Sequence, residues 1–306
     1  MTSESAPGLR LVTRRNLLIG AGGAIALVAC GQTSTSTSGT SVAPAGSGSA
    51  AKLNLAPRFD VNEYASVGSE QRMVVSLVDS SGVTPTDAPR SIEVTITDKD
   101  GKAVGKPVTA LAQSDGVPVP YYPVRFTFDA PGTYKMAIPQ VTPQAFKVGA
   151  ASSMPFVQPG SKLKSVNTPT VTDARGVDPI CTRSKGMCEL HQLDLVDAIS
   201  AKKPIALLIS TPKFCQIGVC GPVLELFLEQ RAAFPDIQFI HAEVYKTPDA
   251  NPADPSAGGL APVVDAFGLN FEPSLYFASA DSTVVSRLDN VFDRAEIKAN
   301  LDKLKA

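Results

Sequence analysis

Residues 204–222 read Pro204-Ile-Ala-Leu-Leu-Ile209-Ser-Thr-Pro-Lys-Phe-Cys215-Gln-Ile-Gly-Val-Cys220-Gly-Pro222. The apolar run 204–209 is short and bounded, the pattern of a strand buried on both faces. After it, Val223/Phe227 and Leu224/Leu228 repeat at i, i+4 while Glu225, Glu229 and Gln230 face the other way, which predicts a helix. Pro222 suits the first position of that helix. A helix start presents unpaired N–H groups and a partial positive charge, so a cysteine there favours thiolate over thiol.

Working outward, Ile237–Val244 predicts a second buried strand and Leu260–Phe267 a short helix ending at Gly268. Ser274–Ala278 and Thr283–Leu288 predict a hairpin across Ser279–Ser282. The last helix opens with Asp293-x-x-Glu296, a capping-box pattern, and carries Ile297, Leu301 and Leu304 on one face. The order is β-α-β-α-β-β-α.

A strand feeding a cysteine pair at a helix start, followed by this order, resembles the thioredoxin fold over residues 173–306. Phe271-Glu272-Pro273-Ser274-Leu275 stands where that family keeps its cis-proline loop, and Lys202-Lys203-Pro204 before the central strand is also typical. The resemblance implies that Cys215 is the attacking sulfur and that Cys220 resolves the mixed disulfide, with Pro273 beside them. Lys213 adds a nearby positive charge. The spacing departs from the family, with four residues between the cysteines instead of two, and Leu207 and Leu208 stand where some thioredoxins keep a buried Asp. A second alignment matches Cys220-Gly221-Pro222-Val223 to C-G-P-C with the last cysteine lost, making Cys220 the attacking residue. The other reading of Cys215–Cys220 is a closed disulfide that pins a loop.

Cys181 and Cys188 enclose Thr-Arg-Ser-Lys-Gly-Met in a polar loop without a helix start behind it, so a structural disulfide between them is the expectation. His241 alternates within a predicted strand and reads as a structural histidine. His191 lies three residues past Cys188, and two thiolates with an imidazole would suit soft copper. Copper-delivery proteins of the cytochrome-oxidase assembly family share the thioredoxin fold, with two cysteines on this loop and a histidine far downstream, but no histidine follows His241. No metal and no cofactor are assigned. There is no G-x-S-x-G elbow, phosphate-cradling glycine loop or H-E-x-x-H.

Residues 53–150 alternate with period two, as in Met73–Val78, Ile92–Thr97 and Val124–Phe128, between turns at 79–82, 98–101, 115–116 and 130–132. About seven short strands predict an antiparallel sandwich. Asp129-Ala-Pro-Gly132-Thr-Tyr134 resembles the D-x-x-G-x-Y corner of immunoglobulin-like domains. This part has neither Cys nor His, so a spacer or partner-binding role is expected. The fold class expected for the chain is therefore an N-terminal all-β immunoglobulin-like sandwich followed by an α/β thioredoxin-like domain, joined by a linker at 151–172.

At the N-terminus, residues 17–29 form an apolar run of thirteen behind Arg10, Arg14 and Arg15, too short to span a bilayer and suited to a signal peptide. Thr13–Leu18 resembles a twin-arginine export signal. Leu27-Val28-Ala29-Cys30 resembles a bacterial lipobox, which implies a diacylglyceryl group on Cys30 and two acyl chains for stable anchoring. From Gly31 to Ala50, 14 of 20 residues are Ser, Thr or Gly and none is charged, the composition of a flexible tether extending to residue 52. The chain is expected outside the cytoplasm, anchored in the cell membrane, where disulfides persist.

Across 306 residues, 28 Lys+Arg against 29 Asp+Glu leave a net charge of −1, with no field to attract nucleic acid. The partners expected are the membrane, through Cys30, and the thiols or disulfides of exported proteins. Two further functions stay open: a non-catalytic envelope binding module with structural disulfides, and a copper-binding chaperone on the thioredoxin fold.

Overall fold

The core of the C-terminal half is a four-stranded mixed sheet. In the computed structural model, which describes residues 53–85 and 87–305, a short helix α1 (Leu195–Ser200) leads into strand β9 (Ile205–Ile209) after eight earlier strands. Helix α2 (Cys220–Gln230), β10 (Gln238–Ala242), α3 (Pro262–Phe267), β11 (Ser274–Ala278), β12 (Val284–Asp289) and α4 (Arg294–Asp302) follow. The strand order is β10-β9-β11-β12, with β9 parallel to β10 and antiparallel to β11. All five residues of β9 are buried, Ile205, Leu207 and Ile209 in one apolar cluster and Ala206 and Leu208 in another, which explains its unbroken apolar sequence. This is a thioredoxin-like arrangement, and every element expected between 204 and the C-terminus is present.

Two helix starts differ from the expectation, and one helix end meets it. Helix α2 begins at Cys220, so Pro222 occupies its third position. Helix α1 had no counterpart in the periodicity reading. Its start is set by Asp194, whose side chain accepts the Val196 N–H at 2.7 Å. Helix α3 ends at Gly268 with φ 65°, and a Cβ there would lie 1.9 Å from the Pro155 carbonyl oxygen. Glycine is required twice over at that site.

The N-terminal half contains β1 (Asn54–Pro57), β2 (Ala65–Ser66), β3 (Glu70–Val78), β4 (Ser91–Thr97), β5 (Val108–Leu111), β6 (Tyr122–Thr127), β7 (Gly132–Ala137) and β8 (Gln144–Gly149). They form a three-stranded sheet β1-β3-β6 and a five-stranded sheet β2-β8-β7-β4-β5. The pairing is not purely antiparallel, because β2 runs parallel to β8. At the corner before β7, the Tyr134 hydroxyl donates to the Ala130 carbonyl at 2.8 Å.

The expected succession of a separate sandwich and an α/β domain is modified in one respect. The described residues belong to one compact unit. Strand β3 was expected to be half-buried, yet eight of its nine residues are buried, because its second face meets the C-terminal half. Arg72 on β3 reaches Glu296 on α4 at 2.8 and 2.5 Å and the Val291 carbonyl at 2.7 Å. Residues 151–172 are packed too: Leu163 N–H donates to the Ser282 carbonyl, and Phe156 contacts the rings of Tyr64 and Phe271. Cys30, the lipobox, the export signal and the tether fall outside the described residues. Among those described, no helix is long and apolar enough to cross a membrane.

Candidate functional site: a cysteine pair over a buried carboxyl

Strand β9 ends at Ile209, and the chain leaves the sheet through Ser210–Phe214 to present Cys215. Cys215 and Cys220 form a disulfide with a Cα–Cα distance of 5.9 Å. The two sulfurs differ in environment. Cys215 is partly exposed, while Cys220, the first residue of α2, is fully buried. The Cys220 N–H donates to Cys215 Sγ at 3.3 Å. The free N–H groups at the start of α2 therefore act on the accessible sulfur, and a thiolate released there is stabilised by them. An incoming nucleophile can reach Cys215 and not Cys220. That accessibility favours the first alignment, with Cys215 as the attacked and attacking sulfur.

The wide loop between the cysteines has its own support. Val219 is buried against Val74, Tyr121 and Val291, and Cys215 packs at the margin of the same cluster. The N-terminal half thus backs the loop that carries the cysteine pair. Ile217 at the loop's tip is 47% exposed. Lys213 is also exposed, but its charge is shared with Asp249, whose Oδ1 lies 2.5 Å from Nζ.

Pro273 follows a cis peptide bond to Glu272 at the entry to β11. Glu272 is the functional residue the sequence reading missed. Its Oε2 lies 3.6 Å from Cys220 Sγ and accepts the Thr211 N–H at 2.7 Å. Burial, helped by the charge of Glu243, pushes its carboxyl up to about 8 against the opposing Thr211 hydrogen bond and the charge of His241. Glu243 is itself buried and raised by desolvation; its Oε1 accepts the Thr182 N–H at 2.5 Å. A carboxyl of this kind can hold a proton at neutral pH and exchange it with the buried sulfur. The signal available in the sequence was a glutamate immediately before the proline of the expected cis-proline loop, which brings an acid to the cysteines from the start of β11 when β9 has only apolar residues.

The expected disulfide between Cys181 and Cys188 is not formed; both are free thiols. Their sulfurs belong instead to a cluster with His191 and His241, whose four potential ligand atoms lie within 4.8 Å of one another. Cys188 Sγ is 3.6 Å from His241 Nδ1, and His241 Nδ1 is 3.2 Å from His191 Nε2. The contact with Cys188 and the two imidazoles hold Cys181 well below the usual thiol range, while the same pairing and burial push Cys188 up. His191 is lowered by burial. A groove of about 610 Å³ runs past Cys181, Thr182, Pro212, Lys213 and Gly221, linking this cluster's margin to the start of α2.

The chain matches no protein-family profile and no curated protein sequence. Among solved structures it is similar to MTB dsbF, in its mixed oxidized and reduced forms, at 15% identity over 46% of this chain and 96% of that one, with a TM-score of 0.30. A second is a protein assigned as the thiol:disulfide interchange protein DsbE of Chlorobium tepidum, at 15% identity over 49% and 96%, TM-score 0.33. A metagenome-derived glycoside hydrolase family 9 endoglucanase matches at 20% identity over 32% of this chain and 18% of its own, TM-score 0.23. Scores and identities this low add nothing to the chemistry, which stands on the side chains.

Proposed function

We propose that this protein is an envelope thiol–disulfide oxidoreductase, anchored by lipid on Cys30 and acting on exported proteins. The observation that carries the reading is the asymmetric pair: a reachable Cys215 sulfur beside helix N–H groups, bonded to a buried Cys220 that contacts a protonatable Glu272. A substrate thiolate attacks Cys215 Sγ, forming a mixed disulfide and expelling Cys220 as thiolate, which takes a proton from Glu272. A second substrate thiolate then displaces Cys215, so the substrate leaves oxidised and the pair reduced. In the reverse direction Cys220, deprotonated by the Glu272 carboxylate, attacks the mixed disulfide at Cys215. The exposed Ile217 gives the loop an apolar contact for an unfolded chain. The N-terminal strands are read as an immunoglobulin-like sandwich that braces this loop.

Insulin reduction by the full chain tests the reading. Cys215→Ser is expected to abolish turnover, while Cys220→Ser should accumulate the mixed disulfide. Equal turnover of wild type and Cys215→Ser would reduce the pair to a loop staple on a binding module.

A further inference from the structure

We infer that Cys181, Cys188, His191 and His241 form a structural zinc site, separate from the Cys215–Cys220 pair. Three of the four come from one loop and its helical turn, Glu189–His191, and the fourth from β10. Cys188, His191 and His241 are buried; only Cys181 touches solvent. Zinc bonds of about 2.0–2.1 Å to nitrogen and about 2.3 Å to sulfur, at tetrahedral angles, separate two nitrogens by about 3.3 Å and a nitrogen from a sulfur by about 3.6 Å. The two measured separations, 3.2 Å between the imidazole nitrogens and 3.6 Å between Cys188 Sγ and His241 Nδ1, fall on those values.

The surroundings orient the ligands. His241 Nε2 lies 3.1 Å from the Ser210 carbonyl oxygen, which only accepts, so this nitrogen carries the proton and Nδ1 turns its lone pair to the cluster. A backbone partner fixing the tautomer is the usual outer support of a metal-bound histidine. His191 directs Nε2 inward, and its Nδ1 is buried without a hydrogen bond.

Charge selects the ion. Two thiolates and two neutral imidazoles cancel the charge of Zn²⁺, giving a neutral buried complex, whereas Cu⁺ would leave a net negative charge in the interior. Zinc takes both cysteines as thiolates, and any proton still held on them leaves to solvent on binding. Four protein ligands leave no open position, so the ion ties the 181–191 loop to the central sheet and does no chemistry. It also keeps two thiols from oxidising next to a redox-active pair.

Metal content per chain tests this on the full protein, solubilised in detergent, loaded with zinc and dialysed against metal-free buffer. One zinc per chain is expected, retained in Cys215→Ser/Cys220→Ser and lost in Cys188→Ser. Because Cys188→Ser could fail to fold, His241→Cys provides a second measurement: it should keep one metal, and its cobalt-loaded form should show stronger sulfur-to-metal charge transfer than wild type. Absence of retained metal, loss of metal with the Cys215/Cys220 variant, a Cys181–Cys188 disulfide in the zinc-loaded protein, or preferential retention of copper would each overturn the proposal.

Discussion

At the scale of single residues, the carboxyl of Glu272 decides how protons accompany electrons. In the unfolded chain it titrates near 4.5, and in the folded protein burial pushes it up to about 8. Between these values the native state holds a proton that the unfolded state has released. Stability is therefore greatest below about pH 4.5 for this group and falls as pH rises toward 8, with a limiting slope of about 1.4 kcal/mol per pH unit. Glu272→Gln is expected to flatten that part of the stability–pH curve, as measured by urea unfolding at several pH values. The same substitution removes the proton acceptor of Cys220, so resolution of a mixed disulfide on Cys215 should slow by about 10²-fold at neutral pH. The deficit should shrink in alkaline solution, where the thiol ionises without help. Stopped-flow resolution rates that match wild type across the pH range would remove Glu272 from the mechanism.

At the scale of elements, helix α4 shows how a local motif is completed from outside. Asp293 Oδ1 accepts the Glu296 N–H at 3.0 Å, the first half of a capping box. The second half is missing, because Glu296 turns away to Arg72, Arg125 and Tyr121, and the Asp293 N–H donates to the Tyr121 hydroxyl at 2.8 Å. Asp293→Ala should cost about 1–2 kcal/mol in urea denaturation and Asp293→Asn clearly less; equal stability of all three proteins would remove the cap. Elements of this kind were readable in the sequence wherever the signal was local: the period of β9 and β10, the helical face of α2, the αL glycine after α3, the hairpin β11–β12. What connects distant segments was not. Cys181 and Cys188 are close in sequence and suggested each other as partners, whereas His241 lies 53 residues beyond Cys188 and meets it only because the turn Glu189–His191 packs against β10. Glu272 was readable as part of a loop but not as a neighbour of Cys220, a contact that depends on β11 lying beside β9.

At the scale of the whole molecule, the two halves are joined by charge where a simple spacer would be joined by a tether. Burial pushes the Glu296 carboxyl up, but Arg72, Tyr121 and Arg125 outweigh it and hold the group below its usual range. Its stabilising effect is thus present above about pH 4.5 and is lost on acidification. A second buried set repeats the theme: Asp289 accepts from Tyr64 at 2.8 Å, Arg287 at 2.6 Å and Ser274 at 2.9 Å. Tyr121, a member of the first set, also packs with Val74 against Val219 in the cysteine loop. Removing one partner of a buried pair leaves an uncompensated charge, a loss of about 3–5 kcal/mol. Arg72→Ala should therefore lower the unfolding free energy by that amount and, because the described residues are one unit, do so within a single cooperative transition. Circular dichroism and the rate at which dithiothreitol reduces the Cys215–Cys220 disulfide should report the same denaturation midpoint. Separate midpoints, or a loss under about 1 kcal/mol, would show that the strand-rich half does not support the cysteine loop.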